Sequence, residues 1–163
     1  MSQSVLQLER YFISKVQIEA VQKTSFPTEI GSSTKLEVAR NNQEPNRYVV
    51  SLTVAVTGSD QKPPPYVGEV QVIGFFQVHP ELPADKQAQI ASVNGASILY
   101  GVAREMIANV TARGPWPAVI LPCVNFNQPD APGAIPPPGQ DATTAAEAKT
   151  AQPPKPPTGE PQH

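Results

Sequence analysis

The sequence predicts an α+β fold: a four-stranded antiparallel sheet followed by one long helix towards the end of the folded part. Three observations carry that reading. Four segments place apolar residues at every second position, one later segment places them at three- and four-residue steps, and strands and helices do not alternate as a parallel sheet would require. Half of the 20 prolines of this 163-residue chain fall between Asn127 and His163, where Ile135 is the only large aliphatic and no aromatic occurs. Such a stretch has too little apolar surface to offset its ordering entropy, so 127–163 reads as a Pro/Ala-rich disordered tail and 1–126 as the folding unit.

The first strand runs from Leu6 to Ile18, with Leu6, Leu8, Phe12, Val16 and Ile18 on one phase and Gln7, Glu9, Lys15 and Gln17 on the other. Tyr11 and Ile13 break the phase, which points to a bulge, a twist or two partly covered faces. A shorter strand holds Leu36 and Val38. The third, Tyr48 to Thr57, turns Tyr48, Val50, Leu52, Val54 and Val56 to a single face. Gly58 to Pro65 then leaves the sheet, because three successive prolines cannot donate ladder hydrogen bonds. The fourth strand, Tyr66 to Val78, keeps Val70, Val72, Phe76 and Val78 in phase, and Gly68 and Gly74 leave gaps on that face where other groups can approach the backbone. After an irregular connector with Pro80 and Pro83, the helix is expected from about Ser97 to Ala112, on a stripe of Leu99, Val102, Ala103, Met106 and Val110. Gly114 and Pro115 end it. Ile98 and Ile107 lie off the stripe, so a second packing partner, such as another subunit, is implied. Trp116 to Phe126 reads as an extended segment lying against the domain.

The charges argue against several function classes. The tail holds Asp130, Asp141, Glu147 and Glu160 against Lys149 and Lys155, which accounts for the net charge of -2 and leaves 10 acids and 10 bases in the folding unit. No basic cluster recommends a nucleic-acid partner. One cysteine rules out an internal disulfide, and no apolar run approaches the roughly 18 residues of a membrane span. With no leader-like segment, a cytoplasmic location is expected and membrane insertion is not.

Catalytic groups are scarce. His79 beside Pro80 and the terminal His163 make a poor metal pair, so no metal and no cofactor is expected. Cys123 reads as a small buried hydrophobe, since no histidine lies near it in sequence. Asn109, Val110 and Thr111 fit a glycosylation acceptor by chance on a helix. Glu105 could serve a hot-dog-fold thioesterase as its acid, but one carboxylate beside Arg104 is poor equipment for acid–base chemistry, and the chain is read as not an enzyme.

The segments Ser97-Ile-Leu-Tyr-Gly-Val-Ala-Arg-Glu-Met106, Ala112-Arg-Gly-Pro-Trp-Pro117 and Val124-Asn-Phe126 resemble the bacterial protein-export chaperone SecB family, which carries Asn-Ile-Leu-Phe, Ala-Arg-Glu, Arg-Gly-x-Phe-Pro and Pro-Val-Asn-Phe at these places. Glu69-Val-Gln71 with Gly74 matches the family's Glu-Val-Gln before its paired glycines, and the similarity spans about Leu6 to Phe126. It implies a dimer of dimers, a homotetramer with the long helices packed between sheets. It also implies an ATP-independent holdase that keeps unfolded preproteins export-competent and delivers them to the motor SecA. By carry-over, client binding falls on Leu36, Val38, Tyr66, Val70 and Val72, with Tyr66 the residue most expected to face a client. SecA docking falls on Glu19, Val67 and Glu69, although Lys15 stands where the family has an aspartate. Beyond Val-Asn-Phe the family continues into a lid helix, whereas Pro132 and Pro136-Pro-Pro138 forbid one here. Those departures motivate an alternative, a SecB-like chaperone dedicated to one client such as an antitoxin.

Overall fold

The computed structural model describes residues 4–22 and 28–127. The predicted tail and the missing lid therefore lie outside the described residues, Asn127 excepted. Four strands, β1 (Leu6–Ala20), β2 (Gly31–Arg40), β3 (Arg47–Thr57) and β4 (Tyr66–Val78), precede one helix, α1 (Ala84–Thr111). The strands form one antiparallel sheet in the order β1-β4-β3-β2, so β4 and β3 are central and β1 and β2 are its edges.

Burial alternates strictly along β3 and along most of β4. Val50, Leu52, Val54, Val70, Val72, Phe76 and Val78 are all inaccessible beneath the helix, as their period-two pattern requires. β1 behaves differently. Its register against β4 shifts between Leu8 and Arg10 and again between Ile13 and Lys15. Each extra residue reverses the alternation. Leu6, Leu8, Tyr11, Ile13, Val16 and Ile18 consequently oppose inward residues of β4, while Arg10, Phe12 and Lys15 oppose Phe75, Ile73 and Gln71 on the outer face. The expected bulge is thus two bulges, and Phe12, assigned by simple alternation to the inner face, lies on the outer one.

The helix is longer than its apolar stripe predicted. It starts at Ala84, directly after Pro83, and its first half buries Ala91, Ser92, Gly95 and Ala96 against the sheet. Its second half buries Leu99, Tyr100, Ala103, Ile107 and Thr111, which leaves Val102, Met106 and Val110 half-covered at the flank and brings Ile107 into the core. Ile98 stays 41% exposed. Two glycines let helix and sheet approach closely. A Cβ at Gly74 would lie 2.8 Å from Leu99 Cδ2, and one at Gly95 would lie 3.2 Å from Val50 Cγ2. Gly68 has a different reason: its φ of 138° and the nearby Gln17 carbonyl oxygen of β1 exclude any side chain.

Candidate functional site

The C-terminal segment explains the most specific block of the sequence. Tyr66, at the start of β4, is 2% exposed, and its hydroxyl lies 3.0 Å from the Thr111 carbonyl oxygen and 2.9 Å from that of Trp116. The same oxygen accepts the Trp116 N–H at 3.0 Å. Thr111 continues the network, donating to the Ile107 carbonyl and accepting the Val119 N–H. Trp116 then reaches back to donate its indole N–H to the Val21 carbonyl just beyond β1. Gly114 is needed at the turn because a Cβ there would collide with the Tyr66 hydroxyl. Arg113-Gly-Pro-Trp-Pro117 is therefore a turn that closes on Tyr66 and returns the chain to the helix.

This geometry corrects the expectation that Tyr66 faces a client, since the residue anchors the return segment instead. Val70 and Val72 are likewise fully buried in the core of the protomer. Of the five residues carried over for client binding, only Leu36 and Val38 keep partial exposure, packed at the margin of the core on the helix side of edge strand β2 opposite Leu52 and Val50. The segment after the turn buries Val119, Leu121 and Phe126, with Phe126 set edge-on to Tyr100 at 5.9 Å. Tyr100 donates to the Pro122 carbonyl at 2.6 Å and lies 3.0 Å from the Ser32 hydroxyl of β2.

Between the inward Val119 and Leu121, Ile120 points outwards at 61% exposure and rims a recess of about 320 Å³ with Gly101, Arg104, Glu105 and Ala108. The alternation of that short extended run was the signal that could have singled it out. On the other side of the molecule Tyr11 and Val16 are 49% and 45% exposed along β1. Cys123 is exposed rather than buried, with Arg104 Nη1 3.4 Å from its sulfur. Among the described residues no group of three histidine, cysteine, aspartate or glutamate side chains could hold a metal ion, and no helix is long and apolar enough to cross a membrane.

The residues carried over for motor docking do converge. Glu19 pairs directly with Val67 across β1 and β4, and Gln17 pairs with Glu69, which places all three at one end of the outer face. Val67 is 42% exposed. Lys15 intrudes on this group: its ammonium lies 2.7 Å from the Glu69 carboxylate. At the far edge Lys35 makes a similar exposed pair with Glu37 at 2.8 Å, a hydrogen bond and a Coulombic attraction that raise the pKa of the lysine above its ordinary 10.5.

The model of the family described as "Preprotein translocase subunit SecB" matches residues 1–129. The chain belongs to the SecB family. Among its relatives, a protein-export protein SecB of Psychrobacter arcticus is 29% identical over 129 residues, which cover 78% of this chain and 86% of that protein. Another of Hahella chejuensis is 29% identical over 153 residues, covering 90% of this chain and 94% of that one. A solved SecB-like chaperone of Mycobacterium tuberculosis, in complex with a peptide from an antitoxin, superimposes with a TM-score of 0.58 at 16% identity, covering 76% of this chain and 93% of its own. That likeness bears on the fold, and the four-stranded sheet with its single helix is SecB-like.

Proposed function

We propose that this SecB-family protein is a chaperone of protein export that holds unfolded preproteins without nucleotide. The observation that carries the reading is the set of large apolar side chains left uncovered around a well-packed core. Unfolded chains expose scattered apolar groups, and a surface of the same kind gains about 25 cal/mol for each Å² removed from water, with no sequence requirement. Leu36 and Val38 on β2 and Ile120 beside the helix are the side chains on which we place client contact. Tyr66, Val70 and Val72 support that surface from beneath.

Assembly is a second part of the proposal. β1 is an edge strand whose helix-side residues Tyr11 and Val16 are about half exposed, and exposed apolar edges are ordinarily paired or covered. Ile98 lies about 200° round the helix from Tyr100, which reaches towards β2, so Ile98 is turned away from that edge. A homotetramer covering both features fits, and several weak client sites on one assembly would retain a long chain through effective concentration. A cytoplasmic location and docking to SecA at Glu19, Val67 and Glu69 complete the export reading.

One observation favours the alternative of a chaperone dedicated to a single client. Lys15 ties up Glu69, so the face offered to a basic motor partner is less acidic than two free glutamates would make it. The deciding experiment mixes the full chain with a slowly refolding client in the absence of ATP. Delayed refolding and suppressed aggregation are expected. Failure of both overturns the holdase reading.

A further inference from the structure

The outer face of the sheet carries a second feature, at the end away from Glu19 and Val67. The first register shift of β1, between Leu8 and Arg10, brings Arg10 and Phe12 onto this face, where Phe12 and Phe75 sit with ring centroids 6.2 Å apart and planes 32° from parallel. The Arg10 guanidinium lies over the Phe75 ring at 4.2 Å. Beside them, Glu9, Arg10, Asn41, Arg47 and Val49 rim a recess of about 340 Å³. Arg47 is shared between Glu9, at 3.1 Å, and Glu44, and with Arg10 on the same rim these four side chains are formally neutral. Phe12 is 47% exposed and adds to the apolar side chains Val49, Ile73 and Phe75 at this end of the outer face.

The chemistry of this surface restricts what can lie on it. The hydrogen bonds of β4 and β3 are spent within the ladder, so the face offers aromatic surface and charge but few backbone partners. An ordinary extended peptide would leave N–H groups unpaired there. A proline-rich segment lacks those donors and comes pre-set in the left-handed extended helix that aromatic-lined grooves recognise. The chain itself contains such a segment: Pro153-Pro-Lys-Pro-Pro157 holds two overlapping Pro-x-x-Pro patterns around one cation, Lys155.

We propose that the Phe12–Phe75 aromatic surface on the outer face, with the recess beside it, binds the chain's own Pro153–Pro157 segment. Reach permits it. Twenty-five residues, 128–152, separate the segment from Asn127, and a random coil of that many residues would span about 25–30 Å on average and about 80 Å at full extension. Tethering also supplies a local concentration on the order of millimolar, so even a weak contact is substantially occupied. This inference is independent of the holdase reading, because it concerns the opposite face from Leu36 and Val38.

The test uses the full chain with Cys123→Ser and Thr158→Cys, a spin label on the new cysteine, and methyl resonances as reporters. Signals of Val49 and Ile73, which pair with Phe75 and Phe12 across the sheet, are expected to lose about half their intensity or more, as fits substantial occupancy of a tethered contact. Those of Leu36 and Val38 are expected to keep theirs. The loss should vanish when Pro153, Pro154, Pro156 and Pro157 are replaced by alanine, and also in Phe12→Thr. Broadening of Leu36 and Val38 instead, no broadening anywhere, or broadening that survives the alanine variant overturns the proposal. The alanine variant leaves residues 4–127 untouched, so the test stands even if Phe12→Thr misfolds.

Discussion

Tyr66 shows how far a single side chain can be misread from its neighbours in sequence. After three prolines an aromatic looks like a surface residue at a strand entrance, yet the groups that satisfy its hydroxyl lie 45 and 50 residues away, where no local pattern can announce them. Removing the hydroxyl leaves the Trp116 N–H without its acceptor and takes the one O–H donor from the Thr111 and Trp116 carbonyls. Tyr66→Phe is expected to cost about 1–3 kcal/mol of stability in a chemical denaturation curve, while client holding per folded molecule is retained. Loss of holding without loss of stability would return Tyr66 to the client surface. Cys123 differs from expectation for a related reason: it is in phase with the buried Val119 and Leu121, but the alternation breaks after Pro122 and the thiol faces outwards beside Arg104. Gly68 is the opposite case, because its position in phase with buried residues already signalled a close approach, here the Gln17 backbone of β1.

At the scale of elements, the strands whose apolar residues keep phase were legible and the helix was only half so. The first thirteen residues of α1 have no recognisable apolar stripe, because the side facing the sheet is built from Ala91, Ser92, Gly95 and Ala96. Small residues let the helix axis come close to Val50 and Phe76, and the same smallness hides the element from a hydrophobic pattern. Gly95→Leu is accordingly expected to destabilise by about 1–3 kcal/mol through overpacking, measured as a lowered denaturation midpoint with an unchanged slope. β1 supplies a second element-level test. Val16→Lys places a charge on the inner phase of this edge strand, opposite Val70, where the side chain is about half exposed. The expected result is loss of the proposed oligomer by light scattering, whereas unchanged assembly would show that the inner phase of this strand has no part in it.

For the molecule as a whole, the two faces of the sheet differ in what they carry. The helix side holds the core and the uncovered apolar rim, and the outer side holds charges, the Glu19–Val67–Glu69 group and the aromatic surface. That division was readable in β3 and β4, where alternation is strict, but not in β1, whose two bulges exchange the faces partway along. It also sets apart two variants. Lys15→Asp both frees Glu69 and adds an acid, so it is expected to strengthen binding to the C-terminal region of SecA several-fold at low salt, with an effect that shrinks as salt screens it. Client holding should be unaffected. Ile98→Lys, by contrast, places a charge on the uncovered flank of the helix and is expected to reduce the assembly to smaller species in size-exclusion chromatography with light scattering.

The bond from the Trp116 indole to the Val21 carbonyl has a practical consequence. This is the only tryptophan in the chain, and it fastens the return segment to the far end of the first strand, 95 residues earlier. Its ring is partly covered only while that fastening holds. Intrinsic fluorescence excited at the indole therefore acts as a built-in gauge of one clasp. A red shift that precedes the loss of far-ultraviolet circular dichroism during titration with denaturant would mean that the ends of the fold part before its sheet does.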